Sequence, residues 1–410
     1  MTNLIEFLKH WSALFLSFPC MLFGEVELGL DRFLQEKRNG PPQNIALVIN
    51  HTSFNRNMEF ALDLFLASPD YAVKAIFTPE HGLLGSAHAS EKIQDSKKEG
   101  IPVYSLFGQT RRPTKKMLEN VDLIVYDIQS IGSRSYTYET TLFYIMEEAA
   151  KLDIPVVVLD RPNPMGGTTV DGLMLDSSLR SFIGYINIPY CHGMTIGELA
   201  HFFNKEYGIC ASLRVIPMKG WRRTMDFSET GLPWIPTSPN IPESDTPFYY
   251  SATGIVGELN FVSIGAAYTL PFKVIAAPWM DGARFAQKCN EQKLPGVYFL
   301  PCSFRPFFGL FKGKNVEGVL VRIRNKKTYK PLQVQYLLLG MLKSLYPKKF
   351  LKALRKHRHS TFIKALGSQK AYDILENEEY PFWKLMTLMQ EEIKDFQKKR
   401  TQYLLNEYMH

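Results

Sequence analysis

Cysteine is scarce and scattered in this 410-residue chain. Its five cysteines, Cys20, Cys191, Cys210, Cys289 and Cys302, contain no C-x-x-C pair. That spacing argues against a disulfide framework and against a zinc ribbon or finger. No H-x-x-x-H or H-E-x-x-H sets two metal ligands on one helix face, although His51, His81, His88 and His192 fall near the ends of predicted strands. No metal and no cofactor is expected. Glycine-rich phosphate loops are missing as well: no G-x-G-x-x-G follows the first strand and no P-loop follows any strand. No G-x-S-x-G elbow presents a serine nucleophile.

Charge is modest, with 21% charged residues and a formal net charge of +8. Basic residues thicken after Lys343 (Lys348, Lys349, Lys352, Arg355, Lys356, Arg358), interleaved with apolar ones. This reads as a solvated helix face, compatible with weak attraction to anionic cell-wall or membrane surfaces. No aromatic-and-basic RNA motif occurs, so nucleic acid is not expected as a partner. Nor is a stable protein partner evident. Long apolar runs are also few. Trp11–Gly24 (WSALFLSFPCMLFG), preceded by Lys9-His10, has the length of a signal-peptide core but is short for a bilayer span. Glu6 and the missing small-x-small site count against export. Residues 1–24 are therefore read as a candidate leader, with an N-terminal helix as the alternative. The expected location is periplasmic or secreted, with cytoplasmic as the alternative.

What the chain does contain is a hydrophobic content of 45%, ample for a large core. Strands are predicted at Asn44–Asn50, Val73–Phe77, Val121–Asp127 and Ile154–Asp160, with shorter ones at Val103–Leu106 and Leu213–Pro217. Helical segments, Asn57–Leu66, Thr137–Leu152 and Thr195–Tyr207, alternate with them. This pattern predicts an α/β fold, a mainly parallel sheet with helices on both faces. Thr195 and Glu198 form a capping-box signature. Prolines cluster between Gly231 and Pro247, which marks a domain junction. The expected division is 25–236 and 237–410, the second a smaller α+β domain with strands at Val274–Ala277, Val297–Leu300 and Val316–Ile323. Its helical tail is expected to fold back on the first domain.

Each early strand runs into polar residues at its C-terminal end, where open α/β sheets bind ligands. Asn50, Glu80, Asp127, Gln129, Asp160 and Arg161 are therefore expected on one rim. Glu80 follows Pro79 and precedes His81-Gly82, so a stiff, tight exit holds it as a general acid. Gly132–Tyr138 opens a helix and offers backbone N–H groups, Arg134, Tyr136 and Tyr138 to an anionic, hydroxyl-rich ligand. Asp160–Gly167 offers Arg161 and Asn163 to a sugar or a carboxylate, with a structural pairing of Arg161 as the competing reading.

These segments carry a resemblance. Thr78–Gly82 (TPEHG), Pro102–Pro113 (PVYSLFGQTRRP), Asp122–Tyr138, Leu159–Gly167, His192–Leu199 (HGMTIGEL), Pro217–Arg222 (PMKGWR), Leu232–Pro242 (LPWIPTSPNIP) and Ala277–Asp281 (APWMD) occur in one order. Over about Glu25 to Leu405 the chain resembles the NamZ-like exo-β-N-acetylmuramidases of bacterial cell-wall recycling. The resemblance implies a Rossmann-like catalytic domain, a smaller C-terminal domain, and release of terminal N-acetylmuramic acid from the non-reducing end of peptidoglycan fragments. It also implies Glu80 in the active-site cleft. His192, Asn240 and Glu258 join His81 and the residues above as candidate substrate contacts. Glu80 is the expected acid; its partner is Asp127, Asp160, Glu91 or Glu258, or else the substrate's own acetamido group. Arg134 or Arg161 is expected to meet the acidic group of the sugar. Two stretches depart from the family pattern: Gly254–Phe272 lacks an arginine that members commonly carry, and Gly82-Leu83-Leu84-Gly85 replaces a G-F-R-G. Both remove positive charge suited to a lactyl carboxylate. The rival functions are a non-catalytic saccharide-binding protein and a hydrolase or lyase of another anionic saccharide.

Overall fold

The computed structural model describes residues 26–88 and 91–409; the candidate leader lies outside them. Its centre is a seven-stranded sheet. The strands are β1 (Gln43–Ile49), β2 (Tyr71–Thr78), β3 (Ser96–Lys98), β4 (Ile101–Ser105), β5 (Leu123–Asp127), β6 (Val156–Leu159) and β7 (Leu213–Ile216), in spatial order β3-β4-β2-β1-β5-β6-β7. All pair in parallel except β3, which runs antiparallel to β4.

The near-continuous apolar character of the central strands follows from burial on both faces. Ile45, Leu47 and Ile49 of β1 pack with helices α1 (Gly29–Gln35) and α2 (Ala61–Ala67) through Leu30, Phe33, Leu62 and Phe65. The intervening Ala46 and Val48 face the opposite layer, α3 (Thr137–Lys151) and α4 (Ile196–Glu206), through Leu142, Met146, Leu199 and Phe203. The period-two alternation thus sends successive side chains to different helix layers. Thr195 caps α4 by accepting from Glu198 N, and Glu198 reaches back to Thr195 N at 3.0 Å, as the capping box predicts.

Beyond residue 245, α5 (Thr246–Gly257) leads to an antiparallel sheet in the order β8 (Val274–Ala277), β10 (Val316–Ile323), β9 (Val297–Phe304). Helix α6 (Gly282–Glu291) packs on β9 and β10. Helices α7 (Pro331–Leu345), α8 (Pro347–Lys356), α9 (Thr361–Leu366), α10 (Gln369–Asn377) and α11 (Pro381–Arg400) follow. One apolar cluster runs from β1 and α3 through α5 and α7 to α11, so both sheets share a core. On α8, Phe350, Ala353 and Leu354 are buried while Lys348, Lys349, Lys352, Arg355 and Lys356 are exposed, which is the solvated face the sequence implies.

Asp281 caps α6 by accepting from Arg284 N at 2.9 Å. Pro247 belongs to the first turn of α5, where its missing N–H costs nothing. The remaining proline-rich segment is a packed wall, with Thr237 and Ile241 buried.

Candidate active site

Strand β2 delivers Glu80 at its C-terminal end. Pro79 stiffens the exit, and His81 (φ 72°) and Gly82 (φ 76°) turn the chain back through two left-handed conformations. Gly82 N–H closes the turn on Pro79 O at 3.1 Å. Thr137, the first residue of α3, donates its hydroxyl to Glu80 Oε2 at 2.8 Å, which fixes the carboxyl against the start of α3. His81 points its Nδ1 at Ala87 O at 2.7 Å, so that nitrogen carries the proton.

Glu80 and His81 line a cleft of about 990 Å³, spacious enough for a sugar and part of its neighbour. Tyr136, Tyr138, Asn240 and Glu258, all expected from sequence, line it too. The two phenols act as wall. Tyr136 donates to Thr237 Oγ1 at 2.8 Å and Tyr138 to Thr237 O at 2.7 Å, pinning the proline-rich segment over α3. Glu258 keeps contact with cleft solvent, yet the surrounding walls desolvate its carboxyl enough to raise it above the usual glutamate range.

Sequence reasoning missed the far side of the cleft. Tyr190 and Tyr250 share the Ser135 hydroxyl, at 2.7 and 2.9 Å. Burial pushes the Tyr250 phenol up to about 12, opposed by its hydrogen bonds and reinforced by the fields of Glu258 and Glu80. Tyr268, Phe272 and Phe308 complete that side. Tyr250 lies on the apolar α5, Tyr268 and Phe272 in the turns between α5 and β8, and Phe308 in the β9–β10 loop. As aromatic residues in apolar surroundings they give no sequence signal distinct from core.

The other expected residues sit on the predicted rim but face inward. β2, β1, β5 and β6 are neighbours in parallel, so Glu80, Asn50, Asp127 and Asp160 do share one edge of the sheet. Asp127, however, is fully buried and chelated by Arg161, Nε to Oδ1 at 2.6 Å and Nη2 to Oδ2 at 2.8 Å. Burial raises its carboxyl and Arg161 opposes the rise. Arg161 also donates to Phe54 O at 2.9 Å. Asn50 Oδ1 accepts from Thr52 N and Oγ1, and Gln129 Nε2 donates to Ser130 O and Pro162 O. This region, where outgoing connections diverge from β1 and β5, is where a ligand is expected. Its own polar groups fill it, leaving about 20 Å³ beside Thr52, Gln129 and Arg161, the space of a single water.

Asp160 is equally committed. It accepts from Thr195 Oγ1 (2.7 Å), Gly197 N (2.8 Å), Arg161 N (3.1 Å) and Tyr408 Oη (2.6 Å), and burial lifts its carboxyl to about 7. Asn163 bridges Met165 N and Met194 O. His192 accepts from Met194 N at Nδ1, so its Nε2 proton points to buried Glu139 at 3.1 Å. Glu91 accepts from His88 N at 2.8 Å and does not line the cleft.

Arg134 is the clearest correction. Only 2% exposed, it donates to Leu173 O and Ile188 O, both at 2.7 Å. Its second nitrogen reaches Ala365 O and Leu366 O at 3.2 and 3.4 Å. Those are terminal carbonyls of α9, left unpaired by the helix, so Arg134 serves as a remote C-cap. Gly367 (φ 81°) ends α9, and any Cβ there would lie 2.2 Å from Arg134 Nη2. Neither arginine proposed to hold an acidic sugar is presented to the cleft. Among the described residues, no three His, Cys, Asp or Glu side chains gather as a metal site.

A family model described as the N-terminal part of exo-β-N-acetylmuramidase NamZ matches residues 45–245, and one described as its C-terminal part matches 248–406. Over 329 residues, 80% of this chain and 79% of the relative, the sequence is 40% identical to the peptidoglycan β-N-acetylmuramidase NamZ of Bacillus subtilis. The chain belongs to this family. Two crystal structures of DUF1343 family proteins from Bacteroides fragilis are similar to it. One has a TM-score of 0.84 at 33% identity, covering 93% of this chain and 99% of that one. The other has a TM-score of 0.67 at 26% identity, covering 94% and 99%. The cleft draws on both matched parts: Glu80 and Tyr136 come from the first, Tyr250, Glu258 and Phe308 from the second.

Proposed function

We propose that this protein is an exo-acting glycoside hydrolase that releases terminal N-acetylmuramic acid, or a related amino sugar, from peptidoglycan fragments. The observation that carries the reading is Glu80, held by Thr137 at the end of β2 and facing a large cleft that also contains Glu258, in a chain of the NamZ family. Glu80 donates its proton to the glycosidic oxygen as the bond from the sugar's anomeric carbon breaks. The positive charge that develops on the sugar is met by the Glu258 carboxylate or by the substrate's own acetamido oxygen. Water then completes hydrolysis, returning a proton to Glu80. Asp127 and Asp160 take no part, since each is consumed by buried partners.

We take residues 25–236 as the domain carrying Glu80 and residues 237–410 as the one that closes the cleft over it. We assign the enzyme to cell-wall recycling outside the cytoplasmic membrane, periplasmic or secreted, on the strength of the apolar segment Trp11–Gly24; cell fractionation tests this. The catalytic reading is tested with Glu80→Gln on a chromogenic N-acetylmuramic acid glycoside. The expected loss is about 10²–10⁴-fold in rate, with affinity retained in calorimetry. A variant that turns over at the wild-type rate removes Glu80 from the mechanism. A wild-type protein that binds the sugar without cleaving it is a binding protein instead.

A further inference from the structure

The loop between β9 and β10, residues 305–315, contributes nothing to the chemistry above, yet its own backbone orders it. Gly313 N–H donates to Pro306 O and Lys314 N–H to Phe311 O, both at 3.0 Å. Phe307 N–H ties the loop to Ala267 O at 2.9 Å. Behind it, Tyr268 stacks on Phe304 with centroids 4.7 Å apart and leans on Phe307 at 5.1 Å. Held in this way, Phe308 lines the same cleft as Glu80 while 59% of its surface stays exposed. Single exposed apolar side chains are ordinary. An exposed phenyl ring carried on an ordered loop and lining a large cleft is a binding feature.

The cleft is asymmetric. Among its lining residues Tyr190 is 2% exposed and Phe308 59%, so Tyr190 lies at the inner wall and Phe308 at the mouth. An exo-acting enzyme seats the terminal sugar against the inner wall, and the ring it is cut from then lies toward the mouth. We propose that Phe308, carried on the loop that Tyr268 anchors through Phe307, is a stacking platform for the saccharide ring on the leaving side of the scissile bond. The C–H face of a pyranose packs on an aromatic face without needing a matched set of hydrogen bonds. The platform therefore selects for a ring at that position and not for its substituents. This rests on the glycosidase reading of the cleft.

The experiment uses the Glu80→Gln protein, alone and combined with Phe308→Ala or Phe308→Trp. Calorimetry gives Kd for the disaccharide N-acetylmuramic acid–N-acetylglucosamine and for free N-acetylmuramic acid, which fills only the inner part. Phe308→Ala is expected to weaken the disaccharide about tenfold, leave the monosaccharide within about twofold, and be rescued by Phe308→Trp. Equal weakening of both ligands, or of neither, overturns the platform. So does a wild-type dimer in light scattering that Phe308→Ala dissolves without changing either Kd, which would assign this face to self-association. Wild-type turnover of the disaccharide reports on the hydrolase reading independently of these constants.

Discussion

Replacing Arg134 with methionine tests whether this buried arginine is a structural tie or a substrate ligand. Two charge-assisted bonds at 2.7 Å, to Leu173 O and Ile188 O, are lost. At about 1.5–3 kcal/mol each, they contribute about 3–6 kcal/mol. The longer bonds to Ala365 O and Leu366 O contribute about 1 kcal/mol more. Against this stands the cost of burying the guanidinium, which lowers its pKa to about 10. A lowering of that size corresponds to about 3 kcal/mol, which methionine recovers. The balance is a net loss of about 1–4 kcal/mol, read as a lower urea midpoint at unchanged slope. Hydrogen exchange is expected to quicken in α9, whose carbonyls lose their cap. Thr361 and Ala365 of α9 line the cleft, so any loss of affinity falls equally on N-acetylmuramic and N-acetylglucosamine glycosides. An unchanged midpoint with a selective loss of the acidic sugar would refute this reasoning and restore Arg134 as a ligand.

Two further outcomes concern carboxyls. Asp160 has a folded-state pKa of about 7, against roughly 3.9 when unfolded. Its stabilisation is present below pH ~4 and lost as pH rises towards ~7. The Asp160→Asn variant should therefore show a flatter pH dependence of its unfolding midpoint; a slope equal to wild type would contradict the assignment. Glu258 is also raised by desolvation. If it meets the developing charge as a carboxylate, the rate falls as pH drops through a value above the ordinary glutamate range, and Glu258→Gln abolishes that limb along with most of the rate. A variant that keeps both leaves the acetamido group as the partner.

The fold was readable because β1, β2, β5 and β6 are short apolar runs buried on both faces and separated by helical segments, a pattern that only a helix-covered parallel sheet accommodates. The site was readable in part. Pro79-Glu80-His81-Gly82 announces a rigid exit, and Glu80 does face the cleft. Asp127 and Asp160 carry the same strand-end signature and do not. What separates them is a partner 34 positions away in one case, Arg161, and 248 in the other, Tyr408. Local pattern cannot reveal whether a polar side chain at a strand end faces the solvent or a distant donor. The aromatic far wall was hidden for a related reason: Tyr250, Tyr268 and Phe272 look like core residues until both parts of the chain come together around the cleft.

The contacts of residues 400–408 bear on how the protein is made. Arg400 donates to Gly167 O, His192 O and Gly193 O, Leu405 N–H to Glu198, and Tyr408 to Asp160. All five acceptors belong to the segment around the exits of β6 and the start of α4, synthesised some two hundred residues earlier. While the chain is still emerging from the ribosome, that segment holds two buried carboxyls without their full set of donors. A fragment ending near residue 245, although it matches a family model by itself, inherits the same deficit. The two halves of this enzyme are therefore one biosynthetic unit, and the rim of the large sheet is finished only when the last helix has docked.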